Sequence, residues 1–117
     1  IFGPNSLTHF DEIGLYRIIS RCTDHAELRN FVNDHLGVVE AYDLNEGTEL
    51  LRTLEVYLSE GCNATAAADR MFVHVNTLNY RLGRLERLAG IDLKNAETRF
   101  NLELALRIRR YLKVIAD

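Results

Sequence analysis

Several things are scarce in this sequence, and each scarcity closes off a class of protein. There is one proline, Pro4, and no low-complexity tract. Proline fixes φ and removes a backbone donor, so the chain beyond Pro4 lacks the strongest interrupter of helices. Alternation of apolar and polar residues never persists beyond a few positions, which leaves no half-buried strand to expect. No apolar run approaches the roughly 18 residues that span a bilayer, and no basic-then-apolar leader opens the chain. The two cysteines, Cys22 and Cys62, form no CxxC motif. The histidines, His9, His25, His35 and His74, show no paired ligand spacing, and Cys22 with His25 is the one close Cys/His pair. Two ligands fall short of the four that a structural zinc site takes. Reduced thiols in a cytoplasmic protein are therefore expected, without metal or cofactor. No carboxylate pair, nucleophile–base arrangement or glycine-rich phosphate loop stands out, so an enzyme is not expected.

What is present fits an ordinary globular domain. The 117 residues, 47% hydrophobic and 26% charged, suffice for one domain with a sizeable core, or one domain and a short helical extension. The chain opens on Ile1 rather than Met and reads as a fragment of something longer.

Charge is unevenly placed. The formal net charge is −3, yet residues 1–60 hold 4 basic and 11 acidic side chains, a balance of −7. Residues 61–114 hold 10 basic side chains (Arg70, Arg81, Arg84, Arg87, Lys94, Arg99, Arg107, Arg109, Arg110, Lys113) against 5 acidic, a balance of +5. Such asymmetry is expected where one end of a chain meets a polyanion, and equally where two faces are differently solvated.

The periodicity predicts helices throughout. One runs over about His9–Arg21 on Phe10, Ile13, Leu15, Ile18, Ile19 and Cys22. Thr23-Asp24 caps a second over His25–Leu36, which Gly37 would stop, with Val38–Asp43 left as a single turn. A third, capped by Asn45 or Thr48, reaches Glu60 with Leu50, Leu51, Leu54, Tyr57 and Leu58 inward. A short fourth follows Asn63, with Ala64, Ala68 and Met71 on one side; Val73–Val75 links it to a fifth, Asn76–Ala89, ending at Gly90. Asn95 caps the last, Ala96–Ile115, with Phe100, Leu104, Ile108, Leu112 and Ile115 as the expected buried stripe.

Residues 48–90 carry the functional signal. A helix, a glycine, a short alanine-rich helix, a tight link and a basic helix are the order a trihelical helix-turn-helix requires. The small side chains at Ala64 and Ala66–Ala68 let the supporting helix cross its partner closely. On a wheel of about 100° per residue, Leu78, Leu82, Leu85 and Ala89 share one arc and face the core. Asn76, Tyr80, Gly83, Arg84 and Arg87 lie opposite, with Thr77 and Asn79 on the shoulders. Amides read adenine, a threonine methyl meets thymine, and arginine reaches guanine or phosphate, so Asn76–Leu88 is the expected recognition helix. Gly83 is either a site of close DNA approach or an incidental glycine. Asn76 is open to a capping role, a base contact or both. His74 is open to capping or phosphate contact; Arg81, at the edge of the core face, is open to an ion pair with Asp69 or another acid, or to a DNA contact. The basic tail Arg107, Arg109, Arg110 and Lys113 reads as a solvated face rather than a second contact site.

The run Asn63…Ala68…Met71-Phe72-Val73-His74-Val75-Asn76-Thr77-Leu78-Asn79-Tyr80-Arg81-Leu82 resembles the C-terminal helix-turn-helix of PucR/CdaR-type regulators, whose core reads approximately V-H-x-N-T-L-x-Y-R-L. Leu88–Leu93, Arg99-Phe100 and Leu104–Leu106 look like its continuation, and Gly14–Arg17, Tyr42-Asp43 and Thr53-Leu54 like its lead-in. Cys62, Ala67 and Met71 stand where the family has Gly, Thr and Leu; Val75 and Asn79 stand where basic residues are frequent. The resemblance implies an all-α, Fis-like trihelical helix-turn-helix with added N-terminal helices and a long C-terminal helix. It implies a bacterial transcriptional regulator of metabolism, responding through an upstream sensory region to signals such as purine-catabolic intermediates or sugar diacids. His74, Asn76, Thr77, Asn79, Tyr80 and Arg81 would face DNA, joined on the wheel by Arg84 and Arg87, with Asn63, Thr65 and Arg70 on the supporting helix. The fewer basic side chains imply weak binding by the isolated domain.

The expected organisation is a connector or dimerisation segment, 1–44, and a DNA-binding domain, 45–117. The expected partners are double-stranded DNA, a second copy of the chain and the upstream sensory domain, with no membrane. A dimer would set two recognition helices ~34 Å apart in successive major grooves. The alternative is a helix-turn-helix that only oligomerises and binds no DNA.

Overall fold

Helices supply every regular element among the residues described by the structure, 14–21 and 24–116 of a computed structural model. In chain order they are α1 (residues 14–20), α2 (His25–Glu46), α3 (Leu50–Ser59), α4 (Ala64–Met71), α5 (Val75–Ala89) and α6 (Ala96–Ala116). The helix expected from His9 is present over 14–20, where Ile19 is buried and Ile18 points to solvent. Phe10, Ile13 and Cys22 lie outside the described residues.

Most termini follow local chemistry. The Asp24 carboxylate accepts from the backbone N–H of Glu27 and starts α2. Asn63 does the same for α4 through the N–H of Ala66, and Asn95 for α6 through that of Thr98. Gly47 and Gly90 close α2 and α5 in left-handed backbone, each at φ 66, a conformation glycine enters without a Cβ penalty.

Three expectations need correction. Gly37 does not stop α2, which continues for nine more residues to Glu46 and absorbs Val38–Asp43. A mid-helix glycine costs only about 1 kcal/mol, less than is gained by burying Val39 in register with Leu28, Val32 and Leu36. Neither Asn45 nor Thr48 caps α3. Its first N–H groups, those of Leu50 and Leu51, are taken by the two carboxylate oxygens of Asp43 on α2, at 2.8 and 2.9 Å. In α6 the buried stripe is Leu102, Ala105, Leu106 and Ile108, whereas Phe100 and Ile115 are exposed. The α2–α6 pair is the most extensive helix packing in the fold, and α2 covers the Leu102–Leu106 side, turning Phe100 out.

One core results. Leu36 and Val39 of α2, Leu54 of α3, Ala67 of α4, Leu78 and Leu85 of α5 and Ala105 of α6 all belong to it, each essentially without solvent access. The complete burial of Ala67 and Ala68 realises the close crossing predicted from small side chains. Helices α3, α4 and α5 form the helix-turn-helix, and α2 and α6 back it.

Candidate nucleic-acid interface

The turn between α4 and α5 sets the attitude of α5. Phe72 ends α4 in left-handed backbone, φ 59 and ψ 40, and its ring is 94% exposed. Two residues later His74 adopts extended backbone, and its Nδ1 accepts from the N–H of Asn76 at 3.0 Å. His74 is thus the N-cap of α5, and Asn76, read as the first helical residue or its cap, lies inside the first turn with its side chain exposed.

From this start the apolar stripe turns inward as the wheel requires. Leu78, Leu82 and Leu85 are buried against α3 and α4. Asn76, Thr77, Asn79, Tyr80 and Arg87 are exposed; Arg81, Gly83 and Arg84 are half-buried. The polar side of α5 therefore projects outward, one face with amides, a hydroxyl, a phenol and arginines. Among the described residues neither Arg81 nor Arg87 forms an ion pair, so the bridge considered between Arg81 and Asp69 is not made. Arg87 on the outer side of the helix and the half-buried Arg81 thus keep their charge available. A Cβ placed on Gly83 would meet only Nη1 of Arg87, at 3.4 Å, an ordinary contact. Nothing within the chain itself requires a glycine there.

Arg84 is held differently. Its Nε donates to the Tyr42 hydroxyl of α2 at 2.9 Å, and its guanidinium carbon stands 5.3 Å from the Tyr42 ring centroid. The hydrogen bond to Tyr42 moves the guanidinium further above its usual pKa, so Arg84 is a permanent cation. On the supporting helix, Asn63 and Thr65 are exposed at the start of α4. Arg70 is committed elsewhere, donating to Ser59 Oγ at 2.9 Å and to Glu60 Oε2 at 3.0 Å. In the basic tail, Arg107 pairs with Glu103 and Arg109 with Glu40 of α2. Arg109 thus joins α6 to α2, while the Arg107 pair lies within α6.

Sequence reasoning missed two residues beside the interface. Tyr42 precedes Arg84 by 42 positions, and only the tertiary fold brings them together. Phe72 sits in the link, where no helical periodicity assigns it a face.

Comparison with known proteins then places the arrangement. The profile of the PucR C-terminal helix-turn-helix domain matches residues 50–108. The chain is 36% identical over 101 residues to the proline-responsive transcriptional activator PutR of Bacillus subtilis (strain 168), covering 86% of this chain and 25% of that protein. It is 33% identical to the DNA-binding transcriptional activator AdeR of the same organism, over 88% of this chain and 24% of AdeR. Against the purine catabolism regulatory protein, also of Bacillus subtilis, identity is 42% over 74% of this chain and 16% of the relative. The chain thus spans a quarter or less of the length of these curated relatives. No solved structure matches it.

Proposed function

The chain belongs to the PucR C-terminal helix-turn-helix family, and from that premise we propose that it binds duplex DNA by laying α5 in the major groove, as the output domain of a transcriptional regulator. The observation that carries the reading is the outward polar face of α5, where Asn76, Thr77, Asn79, Tyr80 and Arg87 are exposed and Arg81 and Arg87 have no acidic partner among the described residues. Asn76, at the tip of the helix, is suited to the paired donor and acceptor of adenine, and Thr77 to a thymine methyl. Arg81, Arg84 and Arg87 along the helix, with His74 at its cap and Asn63 and Thr65 at the start of α4, are suited to phosphates and to guanine. Arg70 acts through its pairing with Glu60.

The activity is binding rather than catalysis, and no helix among the described residues is long and apolar enough to cross a membrane. The protein works in the cytoplasm as a homodimer reading two half-sites, with α1 and the acidic N-terminal half as the dimer contact or as the link to a sensory region elsewhere in the longer chain. The relatives' names include a proline-responsive activator and a purine catabolism regulator, and control of nutrient use is the corresponding role here.

The test is a titration of labelled promoter DNA, taken from upstream of the gene and its neighbours, with wild type, Asn76→Ala and Arg87→Ala. Asn76→Ala is expected to cost about 1–3 kcal/mol on the specific duplex and little on a scrambled one. Arg87→Ala is expected to weaken both and to lower the salt slope by roughly one. Wild-type affinity in both variants would eliminate this face. Tight self-association with no salt-dependent DNA binding would select the oligomerisation reading instead.

A further inference from the structure

Beside α5 lies an open cleft of about 390 Å³, bounded on one side by Thr77, Tyr80, Arg81 and Arg84 and on the other by Tyr42 and the α2–α3 corner at Gly47–Leu50. Its α5 wall carries the Thr77 and Tyr80 hydroxyls and the Arg81 and Arg84 guanidiniums, beside the Tyr80 ring. Glu49, on the opposite rim, is the one carboxylate among the described residues lining the cleft and stands 3.8 Å from the Arg52 guanidinium. Arg84 enters this cleft already constrained. One donor, Nε, is spent on the Tyr42 hydroxyl, and the guanidinium stands over the Tyr42 ring. A guanidinium carries five N–H donors in a rigid fork, so donors on the two terminal nitrogens remain for an outside acceptor, with the Tyr80 side chain beside them. Holding a long side chain before its ligand arrives removes part of the rotamer entropy that binding would otherwise cost.

We propose that Tyr42 is a positioning residue that fixes Arg84 as a backbone-phosphate contact, and that the cleft between α5 and the α2–α3 corner receives one phosphate of the duplex. The proposal rests on the DNA-binding reading above and gives Arg84 a definite part in it. A side chain tied back to α2 is set for the sugar–phosphate edge rather than for a base in the groove floor. Arg84 then contributes affinity and register equally on every sequence, while Asn76 and its neighbours choose the sequence. It also makes α2 a structural part of the contact, through a residue far from the helix-turn-helix in the chain.

The experiment compares wild type, Tyr42→Phe, Arg84→Lys, Arg84→Ala and the double variant Tyr42→Phe/Arg84→Ala on a fluorescein-labelled 30-base-pair duplex of mixed sequence, across a series of salt concentrations. Thermal melts confirm that each variant folds. Tyr42→Phe keeps the ring and loses the hydroxyl, and Arg84→Lys keeps the charge and loses the Nε donor, so the two perturb the same hold from opposite ends. Each is expected to weaken binding about three- to tenfold, and Arg84→Ala to weaken it further and to lower the salt slope by roughly 0.9. Adding Tyr42→Phe to Arg84→Ala is expected to change nothing more, because the two residues act through one contact. Wild-type affinity in Tyr42→Phe, or the same Tyr42→Phe loss with alanine at position 84, overturns the positioning role while leaving DNA binding intact. No salt-dependent binding by wild type on this or any selected duplex overturns the DNA-binding reading itself, and this proposal with it.

Discussion

Phe72 occupies left-handed backbone at φ 59 with its ring 94% in solvent. A non-glycine residue there costs about 1–2 kcal/mol, and an exposed ring returns little of it. Asparagine tolerates this region far better. Phe72→Asn is therefore expected to stabilise the domain by roughly 0.5–1 kcal/mol, read as a rise of a few degrees in melting temperature. A fall would show that the ring has packing this geometry does not contain. Gly83 makes the opposite kind of test. Its helical backbone admits a Cβ with only the Arg87 side chain nearby, so Gly83→Ala is expected to gain about 0.5–1 kcal/mol of stability. On the outer side of α5 the same methyl would stand between the helix and the duplex, and DNA affinity is expected to fall as stability rises. Stability and affinity rising together would remove Gly83 from the interface. At this scale the sequence was legible wherever a residue acts on its own neighbours: Asn63, Asn95 and Gly90 all terminate helices as read. His74 and Asn76 were not separable, because either can cap, and the choice lies in the extended backbone of His74.

Among the elements, the corner joining α2 to α3 stands on one side chain. The Asp43 carboxylate accepts from the N–H groups of Leu50 and Leu51 and from the Thr48 hydroxyl. It therefore serves as the cap of a helix that has no side-chain cap of its own. Removing a shared, charge-assisted acceptor leaves orphan donors, and Asp43→Ala is expected to cost about 2–3 kcal/mol by urea unfolding, with Asp43→Asn costing less. A loss below ~0.5 kcal/mol would mean water replaces the carboxylate freely. This corner was illegible in sequence because the capping group sits seven and eight positions upstream of the donors it serves. Gly37 misled for a related reason: glycine marks a stop only where burial does not outweigh it. The α6 stripe was right only in part: Ile108 is buried and Leu104 and Leu112 are half-buried against the core, whereas Phe100 and Ile115, which look as good in sequence, are exposed. Which side wins depends on where α2 lies.

For the molecule as a whole, α2 crosses the expected segment boundary at residues 44–45 without a break and contributes Leu28, Val32, Leu36 and Val39 to the core shared with α5 and α6. Burying four such side chains is worth roughly 1.5–3 kcal/mol each, comparable to the entire stability of an ordinary domain. A fragment beginning at residue 48, close to where the family profile starts, is accordingly expected to lose cooperative thermal unfolding, while residues 24–117 keep it. Cooperative melting by the shorter fragment would show that the helix-turn-helix stands alone.

Periodicity, capping residues and charge placement, all properties of neighbours along the chain, determined the helices α3 to α6 almost to the residue, the burial of Leu78, Leu82 and Leu85 and the polar outer face of α5. Contacts between distant segments were decided only by the tertiary structure: the unbroken α2, the Asp43 corner, the buried side of α6 and the tether from Tyr42 to Arg84. The physical reason is range. A helix wheel needs only local geometry, whereas the partner that makes one apolar side the inner one, or holds one arginine still, is fixed by packing between helices.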